Sequence, residues 1–171
     1  RWEKGALVLT LGDAIARGCD AVVTFGAAGS NHALATAVYA NQAGLDCYAV
    51  LTDQIQTPWV ANTLRWHCLL GTRVIAAAGY LETQAEAARL KAIHPTGPDK
   101  LYEIPWGGSS PLGSLGFVDA GAELAAQLDV AGVTGPVRVY LPCGTMGSVA
   151  GLLIGLRQAD VPATVVSVKV V

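Results

Sequence analysis

Charged side chains are scarce in this sequence. Lys, Arg, Asp and Glu together make up 14% of the 171 residues, whereas hydrophobic residues make up 52% and the mean hydropathy is +0.43. The formal net charge of −2 excludes the basic footprint of a nucleic-acid-binding protein. Such an apolar balance is typical of a parallel sheet that is covered on both faces, or of a segment whose partner surface is missing.

Membrane-length apolar runs and secretion signals are also missing. No uninterrupted hydrophobic stretch reaches the length needed to cross a bilayer, and no charged-then-apolar signal peptide opens the sequence. The four cysteines have neither the paired spacing of a zinc site nor the density of a disulfide-stabilised secreted domain. We therefore predict a cytoplasmic protein with no membrane or nucleic-acid partner, whose cysteines are reduced and mostly buried.

Several common site motifs do not occur in the sequence. It contains no GxGxxG dinucleotide fingerprint, no P-loop and no GxSxG nucleophile turn. No spacing of His, Cys, Asp and Glu predicts a metal site. These absences disfavour a Rossmann-type nicotinamide enzyme, a P-loop NTPase, a serine hydrolase and a metalloenzyme.

The two ends of the sequence lack the usual boundary signals. The sequence begins at Arg1 without an initiator methionine, and it stops at Val171 within an apolar, β-branched run. A strand that ended there would leave backbone groups and apolar surface uncovered. We therefore expect the sequence to be a fragment of a longer protein.

What the sequence does contain is a regular alternation of strand and helix patterns. Apolar runs predict strands at residues 21–25, 46–51, 73–77, 101–105, 137–141 and 163–171. Helices are predicted at about 5–17, from the turn after the first strand to about 42, at 57–70, 81–93 and 114–128, and from the turn that ends at Ser148 to about 158. Strict alternation predicts an α/β fold, an open parallel twisted sheet with helices on both faces, and Gly135-Pro136 is the best candidate boundary.

Three of the predicted strand-to-helix turns are rich in glycine and small hydroxyl residues. The first carries Ser30-Asn31-His32 after Gly29, the second is Gly107-Gly108-Ser109-Ser110, and the third is Gly144-Thr145-Met146-Gly147-Ser148. In open α/β sheets, ligands bind at the carboxyl ends of the strands, where such turns lie.

The first and third turns have a structural explanation beside the functional one. Ser30 or Asn31 is also suited to be a helix N-cap, and Thr145 is suited to cap the helix after the third turn. The backbone N–H groups of the third turn, with the Thr145 and Ser148 hydroxyls, have the chemistry to bind a phosphate without a lysine.

Taken together and in this order, these turns resemble those of the D-cysteine desulfhydrase and 1-aminocyclopropane-1-carboxylate deaminase family. The motifs are Gly29-Ser30-Asn31-His32-Ala33, the stretch from Ile104 to Gly113, and Gly144-Thr145-Met146-Gly147-Ser148-Val149-Ala150-Gly151. The resemblance implies a pyridoxal-phosphate enzyme of fold type II, the tryptophan-synthase-β fold, of which this chain covers the middle half. It also implies that residues 1–135 form a smaller α/β domain with the start of the crossover, and that residues 136–171 begin the larger cofactor-binding domain.

The resemblance assigns roles residue by residue. Asn31 would hydrogen-bond the hydroxyl group of the pyridoxal ring, Ser30 would contact the substrate and take part in proton transfer, and His32 would support the turn. The third turn would hold the phosphate through Gly144, Thr145, Met146, Gly147 and Ser148. Met146 departs from the family's usual GSGGT-type turn, and Ser148 keeps a hydroxyl where the family often has threonine.

The lysine that binds the cofactor covalently is the least well matched residue. In the family it precedes the SNH serine by some twenty-odd residues within a GNKxRKLE-like pattern, and here only Lys4 lies near that place. The sequence around Lys4 lacks that pattern. Two interpretations stay open: Lys4 is a displaced equivalent, or the lysine lies outside this sequence.

The resemblance predicts a pyridoxal-phosphate-dependent lyase or deaminase that acts on a small amino acid, and a homo-oligomer, namely a dimer. The alternative is a non-catalytic α/β fragment of that family that binds a phosphorylated ligand or a partner chain. The uncertain lysine leaves both interpretations open.

Overall fold

The computed structural model describes residues 3–170, and the side chains of all of these except residues 3, 4 and 6. Within that range helices and strands alternate along the chain. The helices are α1 (Glu3–Ala16), α2 (Asn31–Gln42), α3 (Pro58–Leu69), α4 (Tyr80–Ala92), α5 (Pro111–Val130) and α6 (Gly147–Gln158). The strands are β1 (Ala21–Ala27), β2 (Asp46–Thr52), β3 (Arg73–Ala77), β4 (Leu101–Ile104), β5 (Val137–Cys143) and β6 (Ala163–Lys169).

The strands form two parallel sheets. One has the order β3-β2-β1-β4, with Ala21 opposite Asp46 on one side and opposite Leu101 on the other. The other sheet pairs β5 with β6, with Val137 opposite Ala163. The predicted parallel α/β arrangement is therefore confirmed, because strands that are joined through helices pair in parallel.

The chain divides into two compact units. The central unit is Thr10–Gly107, and the terminal unit is Arg1–Leu9 with Gly108–Val171. The central unit holds the four-stranded sheet, and the terminal unit holds β5, β6, α5 and α6. The division at residues 135 and 136 stays a prediction for the domains of the protein.

Both faces of the two inner strands, β1 and β2, are covered, and successive residues of each strand point to opposite faces. On one face, Val23, Phe25, Tyr48 and Val50 pack with Ala87 and Leu90 of α4. On the other face, Ala49 and Leu51 pack with Ala33 of α2 and Leu64 of α3. The buried residues of β1 and β2 are therefore largely apolar on both faces, which contributes to the high hydropathy of the sequence.

In the terminal unit, α5 and α6 pack with their backbones in contact. A Cβ atom on Gly155 of α6 would lie 2.1 Å from the carbonyl oxygen of Val118 and 2.9 Å from the Cα of Gly121 on α5. Leu152 and Leu156 of α6 pack with Ala120 of α5 and with the inner residues of β5 and β6. Glycine on both helices is therefore what permits this close approach.

Local sequence signals place the helix ends. α3 begins as predicted, with Thr57 as N-cap and Pro58 at the first position. Glycines with left-handed φ angles follow the ends of α1, α2 and α3, with φ of 67° at Gly18, 73° at Gly44 and 69° at Gly71. The start of α5 differs from the prediction at Ser114, because Ser110 caps the helix and Pro111 is its first residue.

No helix among the described residues is long and apolar enough to span a bilayer.

Candidate functional site

The turn after β1 is built around the hydroxyl group of Ser30. Its Oγ accepts a hydrogen bond from the backbone N–H of Ala33 at 3.2 Å, so Ser30 is the N-cap of α2. A Cβ atom on Gly26 would lie 2.6 Å from that Oγ, so glycine is required for the turn to close. The Ser30 hydroxyl hydrogen is not used by the cap, since the oxygen is the acceptor there. Ser30 can therefore cap the helix and still donate to a ligand.

The His32 side chain ties the first turn of α2 to the end of the sheet. Its Nε2 lies 3.2 Å from the Thr24 hydroxyl on β1, and the ring also hydrogen-bonds the backbone carbonyl of Pro105 after β4. Burial lowers the pKa of His32 to about 4, which the Pro105 carbonyl only partly offsets. The imidazole is therefore neutral at physiological pH and holds the turn by hydrogen bonds.

A second anchor of this turn, Gln54, was not predicted. Gln54 follows β2, and its Oε1 accepts the backbone N–H of Gly29 at 2.8 Å. A Cβ atom on Gly29 would lie 3.0 Å from that oxygen and 3.0 Å from a methyl carbon of Val60. The two residues are 25 positions apart, so no local pattern in the sequence indicates the contact.

Asn31 is the first residue of α2, and it is exposed. Within residues 3–170, its side-chain amide has no recorded hydrogen bond, whereas the residues on either side of it are both anchored. Its amide group is therefore available to a ligand at the carboxyl end of β1.

The turn between β5 and α6 lies in the terminal unit, and the first N–H groups of α6 have no backbone acceptor within residues 3–170. Met146 occupies the N-cap position with a left-handed φ of 67°, and no side chain caps the helix. The first helical bond of α6 runs from the Ala150 N–H to the Met146 carbonyl at 3.0 Å, so the three N–H groups before Ala150 have no helical acceptor. The suggested N-cap role of Thr145 is wrong, because the left-handed Met146 lies between Thr145 and the helix.

The start of α6 contrasts with the starts of three other helices. α2, α3 and α5 are capped by the hydroxyls of Ser30, Thr57 and Ser110. At α6 no side chain among the described residues caps the helix, so its first N–H groups and the positive end of its dipole favour an anion. Gly144 is exposed, and a Cβ atom there would meet nothing within 4 Å, so open space lies beside the turn.

Ser109, from the turn before α5, packs against this helix start. Its Oγ lies 2.6 Å from the Oγ1 of Thr145, and a Cβ atom on Gly147 would lie only 2.5 Å from the same Oγ. The predicted phosphate residues Gly144, Thr145, Met146, Gly147 and Ser148 thus form one turn, and Ser109 is an additional hydroxyl beside it. Backbone N–H groups, hydroxyls and a space that a side chain would fill fit a phosphate group.

The described lysines differ in what they contact. Lys91 pairs with Glu103 at 2.7 Å, and Lys100 donates to the Gly18 carbonyl at 2.9 Å. Lys169 is exposed at the end of β6. Lys4 lies in α1, but its side chain is outside the described part of the structure, so its predicted role stays a prediction.

Trp106 fills space inside the central unit. Its ring stacks on Phe25 with centroids 6.3 Å apart and an interplanar angle of 12°, and it also contacts Tyr80. Trp106 therefore packs against the core of the central unit.

Metal ligands do not cluster in the described residues, since no group of three His, Cys, Asp or Glu is placed to hold an ion. His67 is buried in α3, and Cys19 and Cys47 are buried free thiols, whereas Cys68 is exposed.

Comparison with known proteins identifies the relatives of this chain. The family model described as "Pyridoxal-phosphate dependent enzyme" matches residues 4–171. The chain is 35% identical over 170 residues to a nocardicin C-9' epimerase of Nocardia uniformis subsp. tsuyamanensis, covering 97% of this chain and 51% of that protein. It is 34% identical over 162 residues to a D-cysteine desulfhydrase of Yersinia pestis (strain Pestoides F), covering 92% of this chain and 48% of that protein.

An archaeal relative has a similar level of identity. A putative 1-aminocyclopropane-1-carboxylate deaminase of Pyrococcus abyssi is 34% identical over 170 residues, covering 96% of this chain and 49% of that protein. The chain therefore spans about half the length of the curated relatives it matches.

Solved structures show the same fold. The crystal structure of an ACC deaminase homologue matches with a TM-score of 0.83 and 29% identity, over 97% of this chain and 50% of that one. A serine racemase from Dictyostelium discoideum matches with a TM-score of 0.71 at 19% identity, over 98% of this chain and 50% of that one, which shows the fold alone. The predicted fold type is therefore confirmed.

Proposed function

The chain belongs to the pyridoxal-phosphate dependent enzymes, and from that premise we propose that it acts as a lyase or deaminase on a small amino acid. The relatives named D-cysteine desulfhydrase and 1-aminocyclopropane-1-carboxylate deaminase support this reaction class. The observation that carries the proposal is the uncapped start of α6 beside a glycine turn, which has the donors and the space for a phosphate.

The turn of Gly144 to Ser148 binds the phosphate in this proposal. The N–H groups at the start of α6 and the hydroxyls of Thr145 and Ser148 donate to the phosphate oxygens. Such a site needs no lysine or arginine, because the helix dipole and several aligned donors supply the favourable potential.

The turn after β1 contacts the ring and the substrate. Asn31 presents its unpaired amide to the ring hydroxyl, and Ser30 donates its free hydroxyl hydrogen to the substrate or moves a proton there. His32 stays neutral and keeps the backbone of this turn fixed through Thr24 and Pro105. Pyridoxal phosphate, when bound, supplies an electron sink for chemistry at the amino-acid substrate.

Lys4 is the lysine that we propose to attach the cofactor and move protons at the substrate. It lies in α1, and the family match begins at this residue. A lysine amine is suited to both tasks when its surroundings lower its pKa.

We propose further that the protein acts in the cytoplasm as a homodimer. Its resemblance to the desulfhydrase and deaminase family supports both statements. Light scattering of the purified protein with and without pyridoxal phosphate measures the oligomeric state, and a monomer under both conditions contradicts the dimer.

A second candidate reaction is inversion of configuration at the substrate carbon, which the 35% identity to an epimerase favours. The two reactions have different products. A lyase or deaminase releases ammonia and a 2-oxo acid, whereas an epimerase returns the other stereoisomer of the same amino acid.

The test begins with the wild-type protein and pyridoxal phosphate. We expect visible absorbance from covalent attachment and, after borohydride reduction, one modified lysine peptide containing Lys4. Lys169→Arg serves as the matched control, because Lys169 lies exposed on β6 and should leave this labelling unchanged. Ammonia and 2-oxo acid are then measured with D-cysteine and 1-aminocyclopropane-1-carboxylate.

Three results contradict parts of the proposal in different ways. Labelling of another lysine overturns the role of Lys4, and chiral inversion without ammonia supports the epimerase. An increased melting temperature without any covalent adduct supports the non-catalytic alternative, in which the fragment binds a phosphorylated ligand.

A further inference from the structure

We propose that Ser109 is a positioning residue that orients the Thr145 hydroxyl towards the phosphate group. This inference rests on the proposed function, because it concerns the same turn before α6. Ser109 lies on the turn before α5, 36 residues from Thr145, and their hydroxyl oxygens are 2.6 Å apart.

Glycines on both turns permit this approach. Gly107 and Gly108 have left-handed φ angles of 61° and 67°, which turn the backbone immediately before Ser109. A Cβ atom on Gly113 would lie 2.1 Å from the Gly108 carbonyl oxygen, so the turn folds tightly against the start of α5. A Cβ atom on Gly147 would overlap the Ser109 side chain itself. These close approaches fix the side chain of Ser109 against the start of α6.

The neighbouring serine has a different task. Ser110 accepts the backbone N–H of Gly113 at 3.0 Å and thereby caps α5. Within the described residues, the recorded hydrogen bond of the Ser109 side chain is to Thr145. The cap is therefore complete without Ser109.

The arrangement of the two hydroxyls leaves one hydrogen for an anion. Ser109 and Thr145 each have one O–H hydrogen, and the bond between them uses one of the two. Thr145 is exposed and Ser109 is half-buried, so Thr145 is the member of the pair that faces solvent. When Ser109 donates to Thr145, the Thr145 hydrogen points away from Ser109 and donates to the phosphate. A hydroxyl that accepts one hydrogen bond is also a stronger donor to the next acceptor.

The experiment measures the affinity of the purified protein for three probes: pyridoxal phosphate, pyridoxal and inorganic phosphate. The variants are Ser109→Ala, Thr145→Ala, the double variant, and Ser110→Ala as the matched control. We expect Ser109→Ala to lower the affinity for pyridoxal phosphate and for inorganic phosphate about 5- to 10-fold, which is the effect of losing one hydrogen bond. Its affinity for pyridoxal, which lacks the phosphate, should not change.

The double variant separates positioning from direct contact. If Ser109 acts through Thr145, the double variant binds pyridoxal phosphate no more weakly than Thr145→Ala alone. Ser110→Ala should lower the melting temperature but keep the wild-type affinity for pyridoxal phosphate. Losses that multiply in the double variant, or an unchanged affinity in Ser109→Ala, overturn the inference.

Failure of the proposed function gives a different result. A wild-type protein that binds neither pyridoxal phosphate nor inorganic phosphate overturns the phosphate site and this inference with it. A wild-type protein that binds both, with Ser109→Ala indistinguishable from it, overturns the role of Ser109 alone.

Discussion

Neighbouring side chains in the turn after β1 differ in whether they make hydrogen bonds that stabilise the turn. Ser30 caps α2, and His32 bridges Thr24 and Pro105, so both stabilise the turn. Asn31 lies between them and is exposed. Substitutions at adjacent positions should therefore separate stability from cofactor affinity.

Ser30→Ala removes the N-cap of α2 and should lower the free energy of unfolding by about 1 kcal/mol. Asn31→Ala should change the free energy of unfolding by less than about 0.5 kcal/mol, yet lower the affinity for pyridoxal phosphate about 5- to 10-fold. Urea unfolding and cofactor titration of both variants make the comparison. Equal cofactor affinity in Asn31→Ala and wild type would show that Asn31 is not a ring contact.

His32 makes stability depend on pH. Its pKa is lowered by burial to about 4 in the folded protein, against 6.5 in the unfolded chain. Between these values the unfolded chain binds more protons, so the stabilisation is present above about pH 6.5 and is lost as pH falls towards 4. From pH 7 to pH 5, His32 should cost about 2 kcal/mol of the free energy of unfolding.

His32→Gln removes the titrating group but keeps an amide that can hydrogen-bond. Urea unfolding of wild type and variant at pH 7, 6 and 5 isolates the contribution of His32. The advantage of the wild type should shrink by about 2 kcal/mol over this range. Parallel pH profiles for the two proteins would contradict the buried neutral imidazole.

A single added methyl group should disturb the contact between α5 and α6. Gly155→Ala places a Cβ atom 2.1 Å from the Val118 carbonyl oxygen, so the helices must move apart. We expect a loss of about 3 kcal/mol in the free energy of unfolding. Gly135→Ala is the matched control in the same unit, because a Cβ there meets nothing within 4 Å. Equal melting temperatures for the two variants would show that the helices do not pack this closely.

The alternation of strands and helices along the chain was predictable from the sequence. Parallel pairing of the strands followed from it, because two strands joined through a helix pair in parallel. The start of α3 was also predictable, since Thr57 and Pro58 are a local signal. The start of α5 was missed because Pro111 and Gly113 are common in turns, and only the Ser110 cap shows that they are helical.

The candidate site was predictable only where it consists of consecutive residues. The turn of Gly144 to Ser148 is one segment, so its glycines and hydroxyls indicate an anion site directly. Gln54 and Ser109 reach their partners across 25 and 36 residues, and such contacts depend on how the sheet and helices pack. The left-handed Met146 was likewise not indicated, because non-glycine residues rarely adopt this conformation.

For the whole molecule, the family match and the fold match both point to pyridoxal-phosphate dependent enzymes, but this chain is about half as long as the matched proteins. The family model spans residues 4–171, and the chain covers half of the matched ACC deaminase homologue. The first predicted ligand turn lies in the central unit, and the third turn, with Gly108 to Ser110 of the second, lies in the terminal unit. The proposed function therefore depends on whether this chain binds the cofactor, and above all on whether the start of α6 binds the phosphate of the cofactor.

Amide chemical shifts in a ¹⁵N-labelled sample test that claim most directly. On addition of pyridoxal phosphate, the N–H resonances of Gly147, Ser148 and Val149 should shift strongly, as expected for donors to a phosphate. The start of α4 provides an internal comparison, because Gly79 also leaves that helix without a side-chain cap and yet no ligand is proposed there. Large shifts at α6 with none at α4 are the predicted result. Unchanged resonances at Gly147, Ser148 and Val149 under saturating cofactor would contradict the account.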